Sequence, residues 1–296
     1  MTPVVDSYAV IGNPIAHSRS PWLHAAFAQQ TQQAIRYDRC LLPTDGFAQG
    51  LSQLRDNGLM GCNVTVPFKG DAFALAQWHS PAALLAQACN TLWWDGQTLK
   101  ADNTDGVGLV RDITYNAGVQ LSGQRILIVG AGGAAAGIVG PLIAAGCGHI
   151  HMANRTAHKA HDIIERHQLM AGQHGCTLSA SALDALHVPP SQHETPAAKL
   201  SSFDVIINAS AASLGGQRIA LPSALVHSRT LAIDLMYGPS SRVFLDWANA
   251  QGCATRDGLG MLVEQAAQSF FIWRGVMPST AGVLAQLRAM VDAPCD

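Results

Sequence analysis

The sequence predicts an α/β protein made of two α/β units in series, and three observations carry that prediction. Short apolar strands alternate with helical segments from Tyr8 almost to the end of the chain, which is the pattern of sheets covered by helices. One strand, Ile126–Val129, runs straight into the glycine-rich turn Gly130-Ala131-Gly132-Gly133. The chain has 296 residues, 48% of them hydrophobic and only 13% charged. That is enough for two domains of ordinary size, each with its own core.

The first hundred residues set out the first unit. Tyr8–Ile11 reads as the opening strand, and Ser20-Pro21 as a helix cap with proline at the first helical position, starting a helix through about Gln33. A strand follows near Tyr37–Leu42, then a helix capped by Thr44 and ended by Gly58. In Asn63-Val64-Thr65-Val66-Pro67-Phe68-Lys69 the valines alternate with polar residues as a strand requires, and Pro67 stops it because proline gives no N–H to a ladder. Two helices come next, the second capped by Ser80-Pro81. Asp95-Gly96 then turns a hairpin between Asn90–Trp94 and Gln97–Lys100.

A linking helix over about Gly106–Ala117 leads to the second unit. Its expected strands are Arg125–Val129, His149–Ala153, Phe203–Asn208 and Leu231–Asp234, with helices at Ala134–Ala145 and Ala157–His167. Such alternation specifies a parallel, doubly wound sheet. His187–Ser202 is rich in Pro, Ser, His and Ala and reads as a surface loop. Gly258–Arg274 and Ser279–Val291 are expected to be helices, parted by Pro278. The expected domains are residues 1–105, a substrate-binding and catalytic unit; 106–257, a Rossmann-like nucleotide unit; and 258–296, helices that pack back on the first.

Composition excludes several classes. Eighteen Lys and Arg against twenty Asp and Glu give a net charge of −2 with no basic cluster, so no nucleic-acid face is expected. The apolar run from Gly130 to Cys147 is interrupted by glycines and Pro141, so no membrane span is expected. Seven dispersed cysteines without a CxxC pair, and no charged-then-apolar leader, point to a cytoplasmic protein with reduced thiols. The histidines, among them His149/His151 and His158/His161, lack cysteine or carboxylate company, so no metal site is expected.

The glycine-rich turn has a chemical reading. Gly130 permits the tight turn after a buried strand. Gly132 lets a backbone approach a pyrophosphate, and the helix opening at Gly133-Ala134 aims its amide dipoles at that anion. A GxGxx(G/A) run alone is weak, but here the strand precedes it and the helix follows it. At the end of the next strand a site for NAD usually carries Asp or Glu; this chain has Asn154-Arg155-Thr156, with Lys159 one turn on. No carboxylate repels a phosphate there, and Arg155 offers a planar fork that pairs with one, so the cofactor reading is NADP.

Lys69, just beyond a strand end, reads on its own as a solvated surface charge. Asp102-Asn103-Thr104-Asp105-Gly106, at the junction of the units, reads on its own as a helix cap. Together with Gly12-Asn13-Pro14-Ile15-Ala16-His17-Ser18-Arg19-Ser20-Pro21, Asn90-Thr91-Leu92, Asn154-Arg155-Thr156 and Asp257-Gly258-Leu259-Gly260-Met261, these motifs resemble the shikimate dehydrogenase family in order and spacing. The resemblance runs from about Tyr8 to the C-terminus. It implies NADP-dependent, reversible reduction of 3-dehydroshikimate to shikimate on the route to aromatic amino acids. The molecule would act on that small substrate as a monomer or homodimer.

Carried over by position, the resemblance makes Lys69 and Asp105 the catalytic pair. Ser18 and Ser20 match serines that hold the substrate carboxylate, and Asn63, Thr65, Asn90, Tyr237 and Gln265 match other substrate contacts. Gly130, Ala131, Gly132, Gly133 and Ala134, with Asn154, Arg155, Thr156 and Lys159, match the cofactor loops; Leu235 and Gly258 match positions that line the nicotinamide. His17 is expected to be a structural loop residue. Ser18-x-Ser20 favours shikimate over quinate, because relatives that use quinate often carry threonine second. The chain departs from the family pattern at Ala136 and Lys159, where arginines are common, in the thinned loop Asn208–Ser213, and at Arg242-Val243. These departures bear on NADP affinity and leave Lys69 and Asp105 untouched. Two other readings stay open: a quinate/shikimate dehydrogenase that takes NAD or NADP, and a non-catalytic NADP-binding module.

Overall fold

The computed structural model describes residues 5–187, 202–210, 219 and 221–293. The expected loop at His187–Ser202 and the second half of Asn208–Ser213 lie outside the described residues, apart from His187, Ser202 and 208–210. The chain forms two compact units, Met1–Asp112 with Gly260–Asp296, and Ile113–Leu259.

In the first unit the described elements run in chain order: β1 (Asp6–Gly12), α1 (Ser20–Thr31), β2 (Ile35–Leu41), α2 (Phe47–Asp56), β3 (Leu59–Val64), α3 (Lys69–Leu75), β4 (Trp78–His79), α4 (Pro81–Ala86), β5 (Thr91–Asp95), β6 (Thr98–Asp102) and α5 (Asp105–Arg111). The sheet order is β2-β1-β3-β5-β6-β4. β1 pairs in parallel with β2 and β3, whereas β5 is antiparallel to both β3 and β6. The β5–β6 pairing follows from Gly96, whose φ of 61° closes the hairpin as expected.

Some expected caps are corrected. Helix α1 begins at Ser20 itself, after Arg19, because Ser20 is drawn into the core while the Ser18 hydroxyl accepts the Ser20 amide at 3.3 Å. Thr44 does not cap α2, which starts three residues later behind a Pro43–Gly46 turn. Ser80 does cap α4, accepting the Ala83 amide at 3.1 Å. The linking helix is α5 followed by a π-helical turn, Asp112–Asn116.

The core under this sheet holds Ile11, Cys62, Phe68, Ala72, Leu92 and Ala101, all fully buried. Each large side chain so placed contributes about 1.5–3 kcal/mol. The C-terminal part of the unit supplies a second, aromatic layer. Trp273 stacks on Tyr8 at 4.7 Å between ring centroids, and Phe270 meets Phe27 edge-on at 5.9 Å. Gly61 makes this possible. A Cβ there would lie 2.7 Å from the Leu92 carbonyl oxygen and 2.9 Å from the Trp273 indole nitrogen, which itself donates to Leu92 O.

The second unit continues with β7 (Arg125–Val129), α6 (Gly133–Ala144), β8 (His149–Asn154), α7 (Ala157–His174), β9 (Thr177–Ala182), β10 (Val205–Asn208), β11 (Leu231–Asp234), α8 (Arg242–Ala250) and β12 (Ala254–Arg256). Its sheet, ordered β12-β11-β10-β7-β8-β9, is parallel throughout. In chain order this is the 3-2-1-4-5-6 arrangement of a doubly wound dinucleotide fold, whose order reverses between β7 and β10. β9, α8 and β12 are elements the sequence reading did not include. The remaining helices are α9 (Leu259–Arg274) and α10 (Ala281–Asp292). Among the described residues no helix is long and apolar enough to cross a membrane.

Candidate active site

In the first unit, Lys69 is delivered by a short chain of local causes. After β3 the backbone turns at Thr65–Phe68, where the Phe68 amide donates to the Thr65 carbonyl at 2.9 Å. Phe68 is fully buried and stacks on Phe47. With that ring anchored, Lys69 becomes the first residue of α3, and its ammonium donates to Asp105 Oδ2. The pair is largely sheltered, at 18% and 8% side-chain exposure. Gly12 lets the end of β1 cross this turn: an added Cβ would sit 2.5 Å from the Thr65 methyl. Thr65 itself is half-buried, and its amide is held by Ile11 O.

Asp105 opens α5, and its other oxygen accepts from Asn90 Nδ2 at 2.8 Å. Asn90 is the hub. The same amide nitrogen lies 3.0 Å from Thr104 Oγ1 and 3.2 Å from Gln265 Oε1, while its oxygen accepts the Thr104 amide at 2.9 Å and the Thr91 hydroxyl at 2.9 Å. The Asp105 amide is held by Asn103 Oδ1 at 3.1 Å. The buried carboxylate is thus held by one ordered donor on each oxygen, Lys69 and Asn90. Thr104, expected as a possible cap, spends its hydroxyl on Asn90 and Gln265 instead.

Asn63 is buried, and its amide is engaged at both ends. Its oxygen accepts from the Tyr37 hydroxyl at 2.7 Å, and its nitrogen donates to Asn90 O at 3.1 Å, Thr91 Oγ1 at 3.3 Å and Ser269 Oγ at 3.0 Å. Ser269, one turn after Gln265 on α9, joins the Thr91 hydroxyl at 2.8 Å. The structure thus brings together Lys69, Asp105, Asn90, Asn63 and Gln265, which lie far apart in sequence. It adds Tyr37, Thr91, Thr104 and Ser269, which the sequence reading did not mark as site residues. Thr91 and Thr104 lay inside quoted motifs; Tyr37 and Ser269 look in sequence like ordinary core positions. Ser18 lies on the loop into α1 and Ser20 is the first residue of that helix; both nitrogens of Arg39 on one side of its fork grip the Ser18 carbonyl at 2.9 and 2.7 Å. His17 is exposed on the same loop.

The second unit holds the other set. Gly130 has φ of 114°, and a Cβ there would lie 2.9 Å from the backbone of Ala209 and Ser210 beyond β10. Only glycine fits this crossing of the two central strand ends. At Gly132, by contrast, a Cβ would meet nothing within 4 Å. Gly132 caps α6 without a side-chain bond, so the amides of Gly133, Ala134 and Ala135 stand free of intrahelical partners. This is a cradle suited to a phosphate, with Ala131 at its rim.

Asn154 ends β8 with its amide donating to Thr156 O at 2.9 Å, and Arg155 and Lys159 are exposed just beyond. These residues fit an anionic ribose phosphate. Leu235 and Gly258 meet at the ends of β11 and β12, where a Cβ on Gly258 would run 2.1 Å from Leu235 O. Tyr237 is half-buried two residues past Leu235 in this unit. His149 and His151 bond across to Thr177, Ser179 and Ser181 on β9. Among the described residues no group of three or more His, Cys, Asp or Glu is placed to hold a metal ion.

Fold and site together define a class: a two-unit α/β protein with a doubly wound sheet of the dinucleotide-binding type and a buried lysine–carboxylate pair in its other unit. Family models for the shikimate dehydrogenase substrate binding domain, for shikimate / quinate 5-dehydrogenase and for the shikimate 5'-dehydrogenase C-terminal domain match residues 10–92, 112–188 and 258–288. The shikimate dehydrogenase (NADP(+)) of Acidovorax ebreus is 50% identical over 99% of each chain. Among solved structures, an Ael1 enzyme from Pseudomonas putida is 39% identical with a TM-score of 0.83, covering 98% of this chain and 100% of its own. Shikimate 5-dehydrogenase from Thermus thermophilus, in complex with NADP(H) and shikimate, is 29% identical with a TM-score of 0.78, covering 96% and 99%. The chain belongs to the shikimate dehydrogenase family.

Proposed function

We propose that this protein catalyses the reversible, NADP-dependent reduction of 3-dehydroshikimate to shikimate in aromatic amino acid biosynthesis. The observation that carries the reading is the sheltered Lys69–Asp105 pair, its carboxylate fixed by Asn90. When bound, the nicotinamide supplies or accepts the hydride. As hydride reaches the ketone carbon, negative charge grows on its oxygen, and the Lys69 ammonium both stabilises that charge and gives up a proton. In the oxidising direction Lys69 takes the hydroxyl proton. Asp105 orients the ammonium and accepts from a ring hydroxyl.

Ser18 and Ser20 hold the substrate carboxylate. Thr65, Asn90, Gln265 and Tyr237 contact the ring, and Asn63 orients the group around Asn90. Gly130–Ala134 cradle the pyrophosphate, Asn154–Lys159 take the adenosine end with its 2′-phosphate, and Leu235 and Gly258 border the nicotinamide. In this reading residues 1–105 carry the substrate chemistry, 106–257 hold the cofactor, and 258–296 complete the first unit. The described cysteines are all free thiols, in keeping with a reducing cytoplasm.

A site built to bond hydroxyls rejects analogues that lack them, by up to ~10⁴-fold, because its own groups are left unpaired. The test is a grid of shikimate or quinate with NADP⁺ or NAD⁺, read by absorbance of reduced nicotinamide. Shikimate with NADP⁺ is expected to be fastest. No signal in any combination sinks the enzymatic reading, and a quinate rate above the shikimate rate reassigns the substrate.

A further inference from the structure

The edge strand β2 contributes two residues whose contacts the proposed reaction leaves unexplained. Tyr37 and Arg39 are two positions apart and therefore lie on the same face of the strand. Arg39, at the exposed end, sends Nε and one Nη to the Ser18 carbonyl at 2.9 and 2.7 Å. A guanidinium fork spent on a single backbone carbonyl fixes where that peptide points.

Tyr37 is buried, and its ring lies flat on His24 of α1, 4.1 Å between centroids and 4° from coplanar. Its hydroxyl donates to Asn63 Oδ1 at 2.7 Å, while its ring covers the first turn of α1, the helix that opens at Ser20. One side chain therefore ties the helix that opens at Ser20 to Asn63 and, through Asn63, to the Asn90–Asp105 cluster. Arg39 secures the neighbouring serine.

Resting on the shikimate reading above, we propose that Tyr37 and Arg39 are positioning residues that set the Ser18–Ser20 loop for the substrate carboxylate, and that Tyr37 keeps it in register with the ring-binding cluster. Neither needs to touch the substrate. Both act through the serines, so their removal shows in substrate affinity before it shows in turnover.

The test compares wild type with Tyr37→Phe, Arg39→Gln and Arg39→Lys. The phenylalanine keeps the ring stacked and removes only the hydroxyl. Loss of one such bond corresponds to an increase of about 5- to 20-fold in KM for shikimate, with kcat within about threefold. KM for NADP⁺ should stay within about twofold, and Arg39→Lys should fall between wild type and Arg39→Gln because it keeps charge without the fork. Arg36→Ala, on the opposite face and exposed, serves as the neutral control.

The decisive readout is methyl shikimate, measured as a competitive inhibitor, because the ester has no carboxylate to lose. Its inhibition constant should differ by less than about twofold between wild type and each variant. The proposal is overturned by a wild-type KM for shikimate in Tyr37→Phe and Arg39→Gln. It is equally overturned by penalties as large for methyl shikimate or NADP⁺ as for shikimate, which is what general loosening of the fold produces. If the wild type itself neither oxidises shikimate nor binds it in calorimetry, the functional reading falls, and this inference with it. The two failures are told apart by whether wild type or only the variants behave unexpectedly.

Discussion

Lys69 illustrates how much a single residue's role depends on what surrounds it. In sequence it is a lysine past a strand end; the strand, however, is Leu59–Val64 and stops before the exposed Val66 instead of at Pro67, because the backbone already turns at Thr65–Phe68. That its ammonium meets Asp105, thirty-six positions on, was available only through the resemblance. No periodicity encodes it, because the contact depends on Phe68 anchoring the turn and Asn90 holding the carboxylate. Asp105→Asn leaves a hydrogen-bonding group beside Asn90 but takes the countercharge from Lys69. Turnover should fall by about 10²-fold or more, read in steady-state shikimate oxidation. Gly130 offers a different residue-scale prediction. Alanine there must adopt φ near 114° and place a methyl against the Ala209 backbone. Gly130→Ala should destabilise the second unit by about 2 kcal/mol or more, seen as a lower urea midpoint, and should weaken NADP⁺ binding.

At the scale of elements, the sequence was most legible where burial is one-sided or complete. β7, β10 and β11 are largely apolar runs, β8 alternates His149 and His151 with Ile150 and Met152, and the glycine turn after β7 sits where expected. β9 escaped because the alternation in Thr177–Ala182 is carried only by Leu178, Ala180 and Ala182, two of them too small to give a strong apolar signal. It is held by backbone pairing to β8 and by a ladder of His149 and His151 to Thr177, Ser179 and Ser181, which hydrophobic periodicity does not register. β12, at three residues, is too short for any pattern. α8 is a different case: Phe244, Trp247 and Ala248 are buried at helical spacing, so the signal was present and went unread.

The β8–α7 corner carries the cofactor prediction. Arg155 and Lys159 are exposed there with no carboxylate in the Asn154–Lys159 stretch. If Arg155 pairs with the 2′-phosphate as proposed, Arg155→Gln should raise KM for NADP⁺ by about 10- to 100-fold and leave KM for NAD⁺, which lacks that group, within about twofold.

For the whole molecule, the expected α/β architecture is the one observed. What the sequence could not supply is where the expected β5–β6 hairpin joins the first sheet, between β3 and β4, and the way α9 seals that sheet with Phe270, Trp273 and Ser269. The same packing has a consequence for pH. Burial holds His24 down to about 3, and burial with the neighbouring His149 and Arg125 holds His151 down to about 4. Above the ordinary histidine value of about 6.5 both are neutral folded or unfolded, so neither affects stability. Below it the unfolded chain takes up protons that the folded one refuses, so stability falls as pH drops from about 6.5 towards about 4. Each such histidine steepens the fall by up to ~1.4 kcal/mol per pH unit. His24→Phe, which keeps an aromatic ring in the stack, should flatten the slope of urea stability between pH 7 and about 5; an unchanged slope would mean that His24 is protonated in the fold.

The central claim is tested most directly by the turnover of Lys69→Ala in NADP⁺-dependent shikimate oxidation, with shikimate binding measured in parallel by calorimetry. If Lys69 moves the proton, kcat falls by about 10²- to 10⁴-fold while shikimate still binds within about tenfold of wild type. A Lys69→Ala enzyme that turns over at the wild-type rate would contradict that role.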